Sequence, residues 1–347
     1  MSSRRSTACG VYSRPQTIES LGLACVVVLL GASFRFCGLG SESYWYDEII
    51  TVRIANAGPG AVLQSFLQSA RPPIHLLLTG LWMRVAGTTE FSTRYVSAFA
   101  GTASIALIYT TGRRLFSRKV GLVSATLMAL SEFQIQYAQE TRYYGLLVFM
   151  TLISFWMFRR ASERNNPGTW AFLAVVNALL LFTHTYAVFV MLAQWVFFVM
   201  RWNCHKETTT GWILSQVVVF AMGCPSLLPV IRGSLAGEYG PQSWIREPDL
   251  QILCEALLIY VGSNYPTLTT VVAALGVLTV MSLIAWASRR KTRHASRDWL
   301  ARGFHGLREV QSHLLLVGCW LVCAWMMPWI LSKLVEPIYV VRYTIGA

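Results

Sequence analysis

Two adjacent carboxylates, Asp47 and Glu48, come directly after the aromatic run Tyr44-Trp45-Tyr46. Tryptophan and tyrosine are enriched at membrane–water interfaces, so this run predicts a segment at the lipid surface. A carboxylate beside lipid is partly desolvated, which increases its affinity for a proton and suits it to take one from an acceptor hydroxyl. The alternative is an aromatic belt followed by a solvated acidic pair with no catalytic role.

A second candidate site is the segment Glu140-Thr141-Arg142-Tyr143. Residues two positions apart do not face each other on a helix, so Glu140 and Arg142 would each need a partner from elsewhere. Glu140 could contact a cation or an acceptor group, and the planar guanidinium of Arg142 suits a phosphate. Both side chains could instead point into headgroup water.

The elements that must position these residues are long apolar segments. Of the 347 residues, 54% are hydrophobic and 13% are charged, with a mean hydropathy of +0.48. Soluble domains carry about one quarter charged residues, so a soluble single-core protein is excluded. The apolar segments are Ser20–Phe34, Tyr95–Gly112, Val120–Gln139, Tyr143–Phe158, Asn165–Met200, Thr208–Ile231, Ala256–Ser288 and Val310–Ser332.

The segment Asn165–Met200 is too long for one span. At 1.5 Å per residue it would be nearly twice as long as a bilayer core of about 30 Å is thick, so it should form two spans that turn near Thr183–Tyr186. We therefore predict an all-α membrane protein, a multi-pass helical bundle of about nine transmembrane helices whose first outer loop carries interfacial helices.

Basic residues cluster between the apolar segments and indicate the orientation. The clusters are Arg4/Arg5/Arg14, Arg113/Arg114/Arg118/Lys119, Arg159/Arg160/Arg164, Arg201/Lys206 and the seven basic residues between Arg289 and Arg308. By the positive-inside rule they face the cytoplasm. The excess of 29 Lys and Arg over 16 Asp and Glu is then mainly a topology signal, and no nucleic-acid partner is predicted.

This orientation divides the chain into a cytoplasmic tail, residues 1–17, and a transmembrane domain, residues 18–347. The outer loops are then 39–94, 136–142 and 232–262, and 289–309 is a basic cytoplasmic loop. Ile74–Ala86 should be an interfacial helix of the first outer loop, and Gln251–Gly262 a surface-lying or half-buried helix. Tyr239 and Trp244 of the third outer loop are aromatic side chains that could stack on a bound ligand.

Basic residues in outer loops run against the topological preference and need another explanation. Arg71, which precedes Pro72-Pro73, and Arg342 join Arg142 as candidate anion-binding residues. His184 falls at the predicted turn between two spans. The alternatives are an arginine that extends to headgroups and a histidine that is satisfied at the interface.

The order and spacing of these motifs resemble those of the polytopic glycosyltransferases that use lipid-linked sugars. This is the GT-C superfamily of protein O-mannosyltransferases, aminoarabinose transferases and oligosaccharyltransferase catalytic subunits, and the resemblance is closest to the bacterial mannosyltransferase-like branch. The motifs are Arg35, Trp45-Tyr46-Asp47-Glu48, Arg71-Pro72-Pro73, Glu90-Phe91-Ser92-Thr93-Arg94, Gly112-Arg113-Arg114-Leu115-Phe116, the segment Tyr137–Tyr144, Thr183-His184-Thr185-Tyr186 and Arg342-Tyr343. The superfamily usually continues with further spans, so the resemblance implies that the C-terminal part of its pattern is missing here.

The resemblance implies an inverting transferase that moves a sugar from a polyprenyl-phosphate donor to a protein, lipid or glycan acceptor. It implies a multi-pass protein of the inner (plasma) membrane, with a cytoplasmic N-terminus and the active site on the outer face. Asp47 matches the catalytic base, with Glu48 as a second catalytic candidate. The other implied site residues are Arg71, Arg142 and Arg342 for the donor phosphate, and Glu140, His184 and Tyr143 for the acceptor or a cation. No cofactor is certain; a divalent cation is possible, with Asp47 and Glu140 as its possible ligands.

Two alternatives stay open. A lipid-linked sugar flippase or transporter would need charged residues in the middle of its spans. A surface-polysaccharide polymerase or ligase would share the lipid-phosphate leaving group. The charges in this sequence lie at the outer ends of the predicted spans, which favours the transferase.

Overall fold

The computed structural model describes residues 18–235, 245, 248–261, 310–334 and 338–346, and within these residues it contains helices and turns but no β-strand. This confirms the all-α prediction. The helices are α1 (Ile18–Phe36), α2 (Tyr46–Asn56), α3 (Pro59–Ser69), α4 (Pro73–Ala86), α5 (Glu90–Leu115), α6 (Arg118–Leu130), α7 (Glu132–Ala138), α8 (Tyr144–Arg164), α9 (Pro167–Thr183), α10 (Ala187–Met200), α11 (Trp202–His205), α12 (Thr209–Leu235), α13 (Leu250–Val261) and α14 (Val310–Leu334).

Two helices of the described residues, Lys206–Gly233 and Val310–Leu334, are long and apolar enough to cross a membrane by length and composition. Shorter apolar helices run over Leu21–Phe36, Pro167–Thr183, Ala187–Met200 and Leu250–Tyr260. The number of nine spans is therefore not confirmed and stays a prediction. The division of Asn165–Met200 is confirmed, because α9 ends at Thr183 and α10 begins at Ala187.

Three short helices, α2, α3 and α4, occupy the predicted first outer loop. The longest, α4, has 14 residues and is about 21 Å long, shorter than a bilayer core. Proline stands at the start of both α3 and α4, where its fixed φ suits a first helical turn. Leu67, Leu81 and Val85 are 60%, 62% and 81% exposed, so these helices leave apolar side chains uncovered. That exposure fits the predicted interfacial position.

The core lies where α8, α9, α10 and α12 meet. It is built largely from aromatic side chains, among them Phe155, Phe158, Trp170, Phe197 and Trp212. Beside it, α8 packs closely on α5 at Gly145, where a Cβ atom would lie 2.5 Å from the carbonyl oxygen of Ser97. Small residues allow such close approach of helices. Gly145 therefore fixes the beginning of α8, which follows directly after the Glu140–Tyr143 segment.

The segment Val120–Gln139, predicted as one span, is divided into α6 and α7 at Ser131. Ser131 has an extended backbone, and its Oγ accepts the N–H of Gln134 at 3.3 Å, which caps the start of α7. After α7 the chain forms a loop, so Glu140 and Arg142 do not lie on a helix and the argument from helical spacing does not apply. In this loop the N–H of Arg142 donates to the carbonyl of Glu140 at 2.7 Å.

Within the described residues, the helix predicted over Gln251–Gly262 is α13, which runs over Leu250–Val261. Tyr239 and Trp244, the tail 1–17 and the loop 289–309 lie outside the described residues. Their predicted roles stay predictions.

Candidate active site

Asp47 and Glu48 stand in the first turn of α2 and point in different directions. Consecutive residues of a helix are about 100° apart around its axis, so adjacent side chains meet different environments. The Glu48 side chain is fully buried, whereas 27% of the Asp47 side chain is exposed. Trp45 precedes the helix, and its N–H donates to Glu48 Oε2 at 3.4 Å. Helix geometry thus directs the two carboxylates into different surroundings, and the contact of α2 with α5 makes Glu48 the inner group and Asp47 the accessible one.

Glu48 is held by a bidentate ion pair with Arg94 of α5. Arg94 Nε donates to Oε1 at 2.9 Å and Nη2 to Oε2 at 2.7 Å. The N–H of Thr141, from the second loop, donates to Oε1 at 2.7 Å. Burial by itself raises the pKa of Glu48, but the hydrogen bonds from Arg94 and Thr141 outweigh it and lower the pKa below its ordinary value. Glu48 is therefore an ionised group that joins α2, α5 and the second loop.

The other N–H groups of the Arg94 guanidinium bind the chain segment between α1 and α2. Its Nη1 donates to the carbonyls of Leu39 at 3.0 Å and Glu42 at 2.9 Å, and Nη2 donates to that of Ser43 at 3.3 Å. One guanidinium thus binds both Glu48 of α2 and the chain segment that leads to Asp47.

Asp47 lies beside Arg142 of the second loop. Arg142 Nη2 is 3.5 Å from Asp47 Oδ2, and Nη1 donates to the Asp47 carbonyl at 3.4 Å and to Thr51 Oγ1 at 3.3 Å. The guanidinium carbon also lies 4.9 Å from the ring centroid of Tyr143, whose hydroxyl accepts from Nη2 at 3.3 Å. The structure therefore brings the candidate base and a candidate phosphate-binding residue into contact.

Glu140 is the third carboxylate of this region. Its Oε2 is buried and has no hydrogen-bond partner among the described residues. Burial raises the pKa of Glu140 to about 7, with a further contribution from the charge of Glu48, while Arg142 and Arg342 partly offset the rise. Near neutral pH both the ionised and the protonated form of Glu140 are therefore populated.

Arg342 reaches the same region from a 3₁₀ turn, Val341–Thr344, far away in the sequence. Its guanidinium carbon lies 5.8 Å from the ring centroid of Trp45 and 5.5 Å from that of Tyr343. Arg71, in contrast, is exposed, and its polar partner within the described residues is Ser65, whose Oγ accepts from Nη1 at 3.3 Å. The structure thus gathers two of the three candidate phosphate-binding arginines around Asp47 and Glu140.

His184 lies in the turn between α9 and α10, and its Nδ1 accepts the N–H of Tyr186 at 3.0 Å. Its ring packs against Tyr143, Tyr343 and Tyr186, with centroids 4.7, 5.0 and 5.3 Å away. Burial and the charge of Arg142 lower the pKa of His184 to about 3, so the imidazole is neutral at physiological pH.

Several residues that hold the site were not assigned a role from the sequence. Besides Arg94 and Thr141, these include Arg35 of α1, which donates to the carbonyls of Met128 at 2.9 Å and Ala129 at 3.3 Å at the end of α6. Gln139 donates to the carbonyls of Phe34 at 3.0 Å and Cys37 at 2.9 Å. A charged residue in or beside an apolar segment, as Arg35 and Arg94 are, is the sequence signal that could have identified them.

Among the described residues, the site offers few side-chain ligands for a divalent cation. The described residues contain no group of three or more His, Cys, Asp and Glu side chains that could hold a metal ion. Asp47 pairs with Arg142, and Glu140 is under the positive influence of Arg142 and Arg342. A cation with Asp47 and Glu140 as ligands therefore stays an untested prediction, and no step below depends on it.

The family described as dolichyl-phosphate-mannose-protein mannosyltransferase matches residues 70–228. Among solved structures, ArnT from Cupriavidus metallidurans in the apo state is similar at a TM-score of 0.61 and 12% identity, covering 95% of this chain and 56% of that one. The family match covers 159 of the 347 residues, just under half of the chain. ArnT bound to undecaprenyl phosphate has the same likeness, with a TM-score of 0.59, 13% identity and coverage of 95% of this chain and 57% of that one.

At these identities the likeness to ArnT is one of fold, and the chain spans just over half the length of that protein. No curated protein sequence matches the chain. The part that matches the mannosyltransferase family contains Arg71, Glu140, Arg142 and His184, whereas Asp47 lies before it.

Proposed function

We propose that this chain is a lipid-phosphate-dependent glycosyltransferase that moves a sugar from a polyprenyl-phosphate donor to an acceptor hydroxyl. The observation that carries the proposal is the contact between an accessible carboxylate, Asp47, and the guanidinium of Arg142, with Arg342 in the same cluster. An accessible base beside two cations suits a reaction in which a hydroxyl loses a proton and a phosphate departs. The binding of undecaprenyl phosphate by the structurally similar ArnT supports this class of donor.

The proposed reaction is a single displacement at the anomeric carbon. Asp47 takes the proton of the acceptor hydroxyl, and the acceptor oxygen forms a bond to the anomeric carbon. The bond from that carbon to the phosphate oxygen breaks on the opposite face, which inverts the anomeric configuration. The electron pair leaves with the polyprenyl phosphate, and Arg142 and Arg342 stabilise its developing negative charge.

Glu48 acts as a positioning residue in this proposal. Its buried oxygens accept from Arg94, Thr141 and Trp45, which holds α2 and the second loop together but leaves no lone pair open to an acceptor hydroxyl. Asp47 is then the base. Because Arg142 contacts Asp47 in the structure, a donor phosphate that attracts Arg142 would also weaken that contact and free the carboxylate for the acceptor.

Glu140 and Tyr143 are proposed to contact the substrates. A protonated Glu140 can donate a hydrogen bond to the acceptor or the sugar, which an ionised carboxylate cannot. Tyr143 contacts the guanidinium of Arg142 with its ring and accepts a hydrogen bond from it at its hydroxyl. Arg71 is exposed and is not part of the proposed phosphate site.

We place the site on the non-cytoplasmic face of the inner (plasma) membrane, with the N-terminus in the cytoplasm. The support comes from the ends of two helices. Arg94 lies in the first turns of α5, and Arg113 and Arg114 lie in its last turn, so the site and a basic cluster are about 30 Å apart along one helix. In the same way, α8 begins at the site and ends in a basic cluster at Arg164. The positive-inside rule assigns the basic ends to the cytoplasm.

The test is transfer of radiolabelled sugar from a panel of polyprenyl-phosphate sugars in membranes that contain this chain. Wild type is compared with Asp47→Asn and with Glu42→Gln, an exposed carboxylate of the same loop that serves as the matched control. Loss of transfer in Asp47→Asn alone, with donor binding retained, supports the proposal. Equal transfer by wild type and Asp47→Asn would refute the assignment of the base, and lipid scrambling without transfer would favour the flippase.

A further inference from the structure

His184 lies between Tyr143 and Tyr343, the two tyrosines whose rings contact the proposed phosphate-binding arginines. Its ring centroid is 4.7 Å from that of Tyr143 and 5.0 Å from that of Tyr343. The guanidinium carbon of Arg142 is 4.9 Å from the Tyr143 centroid, and that of Arg342 is 5.5 Å from the Tyr343 centroid. The five side chains form one contiguous group with a cation at each end and an imidazole in the middle.

The hydrogen bonds of His184 determine which ring nitrogen carries the proton. Nδ1 accepts the backbone N–H of Tyr186 at 3.0 Å, so Nδ1 itself is unprotonated. Because burial keeps the ring neutral, its one proton is on Nε2. The hydrogen bonds found among the described residues include none at Nε2, and 4% of the residue's surface is exposed. Nε2 is therefore an N–H donor on a largely buried residue, and no acceptor for it is found among the described residues.

We propose that His184 is the third donor to the phosphate of the lipid-linked substrate, with its Nε2–H directed to a phosphate oxygen that Arg142 and Arg342 also bind. This inference rests on the proposed function and adds a residue to the recognition of its donor. The charges around His184 favour an anion as the ligand, since each of the two flanking tyrosines is in contact with a guanidinium. A neutral donor adds a hydrogen bond to the phosphate without placing a third positive charge in a buried site.

The same geometry argues against two other roles for this residue. A metal ion bound at Nε2 needs the lone pair there, which would put the proton on Nδ1, facing the N–H of Tyr186. Direct contact with a cation would therefore require loss of the hydrogen bond that shapes the turn. A general base at Nε2 would need the same rearrangement.

Two substitutions separate loss of the Nε2–H donor from loss of the hydrogen bond to the N–H of Tyr186. In His184→Asn, Oδ1 can take the place of Nδ1 and accept the N–H of Tyr186, but no donor reaches the position of Nε2. In His184→Gln, the side-chain amide can place an N–H near the position of Nε2, but the acceptor for Tyr186 is lost. Thr185→Ser is the matched control in the same turn. The affinity for undecaprenyl phosphate is measured with the full chain in lipid nanodiscs, in EDTA and again with Mg²⁺ or Zn²⁺.

We expect His184→Asn to bind undecaprenyl phosphate roughly 10- to 100-fold more weakly than wild type, the size of one hydrogen bond to a charged group. His184→Gln and Thr185→Ser should stay within about threefold of wild type, and metal should not change the affinities. Wild-type affinity in His184→Asn, or an equal loss in Asn and Gln, would overturn the inference. So would an affinity that depends on metal and loses this dependence in both variants.

Arg342→Gln in the same assay separates failure of this inference from failure of the proposed function. If Arg342→Gln loses affinity while His184→Asn does not, the phosphate site stands and only the role of His184 is wrong. If wild type does not bind undecaprenyl phosphate, or Arg342→Gln binds it as tightly as wild type does, the proposed phosphate site is wrong and the inference about His184 falls with it.

Discussion

Replacing Arg94 by methionine should destabilise the protein and reduce transfer, because it leaves a buried carboxylate without its counter-ion. Arg94 is 5% exposed and Glu48 has no exposed surface. The substitution removes two hydrogen bonds to Glu48 and three to the carbonyls of the segment before α2. Methionine retains most of the length of the side chain but none of its donors.

The magnitude follows from the burial of the pair. Removing one partner of a buried ion pair costs about 3–5 kcal/mol. Unfolding entropy is about 2.1 cal/mol/K per residue, so for a chain of 347 residues this corresponds to a fall in Tm of about 4–7 °C. Glu48→Gln combined with Arg94→Met leaves no unpaired charge, and we expect the double variant to recover at least half of the loss.

The assay is thermal unfolding in detergent, followed by sugar transfer at a temperature well below every Tm. Arg53→Met is the matched control, because Arg53 is an exposed arginine of α2. Transfer by Arg94→Met should fall even at temperatures at which the variant is folded. Asp47 lies on α2, and Arg94 fixes the chain segment that precedes this helix. An unchanged Tm in Arg94→Met, or strictly additive losses in the double variant, would refute the reasoning.

Three further predictions follow from the site. Asp47→Asn should lower kcat by about 10²- to 10⁴-fold, the usual range for loss of a general base, with donor affinity equal to or higher than that of wild type because Arg142 loses a competing carboxylate; a change in affinity alone would contradict the base assignment. Glu140 has a folded pKa of about 7, above the ordinary 4.5, so the folded protein holds a proton that the unfolded chain has lost and stability falls as the pH rises between these values. Glu140→Gln should therefore raise the Tm at pH 8 but not near pH 4, and an equal effect at both would argue against a raised pKa. A membrane-impermeant maleimide should label the exposed Cys37 in intact cells and the exposed Cys204 only after permeabilisation, and the reverse pattern would invert the proposed topology.

The sequence was sufficient to predict the elements whose boundaries depend on local chemistry. The turn after Thr183 and the helix after Pro72-Pro73 lie close to the predicted positions, because span length and proline geometry act locally. The break at Ser131 was not predicted, since a serine in an apolar segment is compatible with a continuous helix. It breaks here because its Oγ caps a new one.

The candidate site was only partly predictable, because what distinguishes its carboxylates is tertiary. Asp47 and Glu48 are equivalent as sequence, and their separation depends on which of them faces Arg94, 46 residues away. The position of Arg342 depends on a turn that packs beside Trp45 from the other end of the chain. Neither contact can be inferred from the spacing of these residues along the sequence.

The charges of the site explain why one of its acids should remain protonated for part of the time. Asp47, Glu48 and Glu140 lie among Arg94, Arg142 and Arg342, and Glu48 and Asp47 have contacts with arginine that Glu140 Oε2 lacks. A donor phosphate would add negative charge and favour the protonated form of Glu140. On this hypothesis, binding of a polyprenyl-phosphate sugar takes up a proton near neutral pH, and its affinity decreases as the pH rises through about 7. The donor is a phosphodiester with no titration of its own in this range, so an affinity that is independent of pH in wild type, or equally dependent in Glu140→Gln, would show that Glu140 is not coupled to the phosphate.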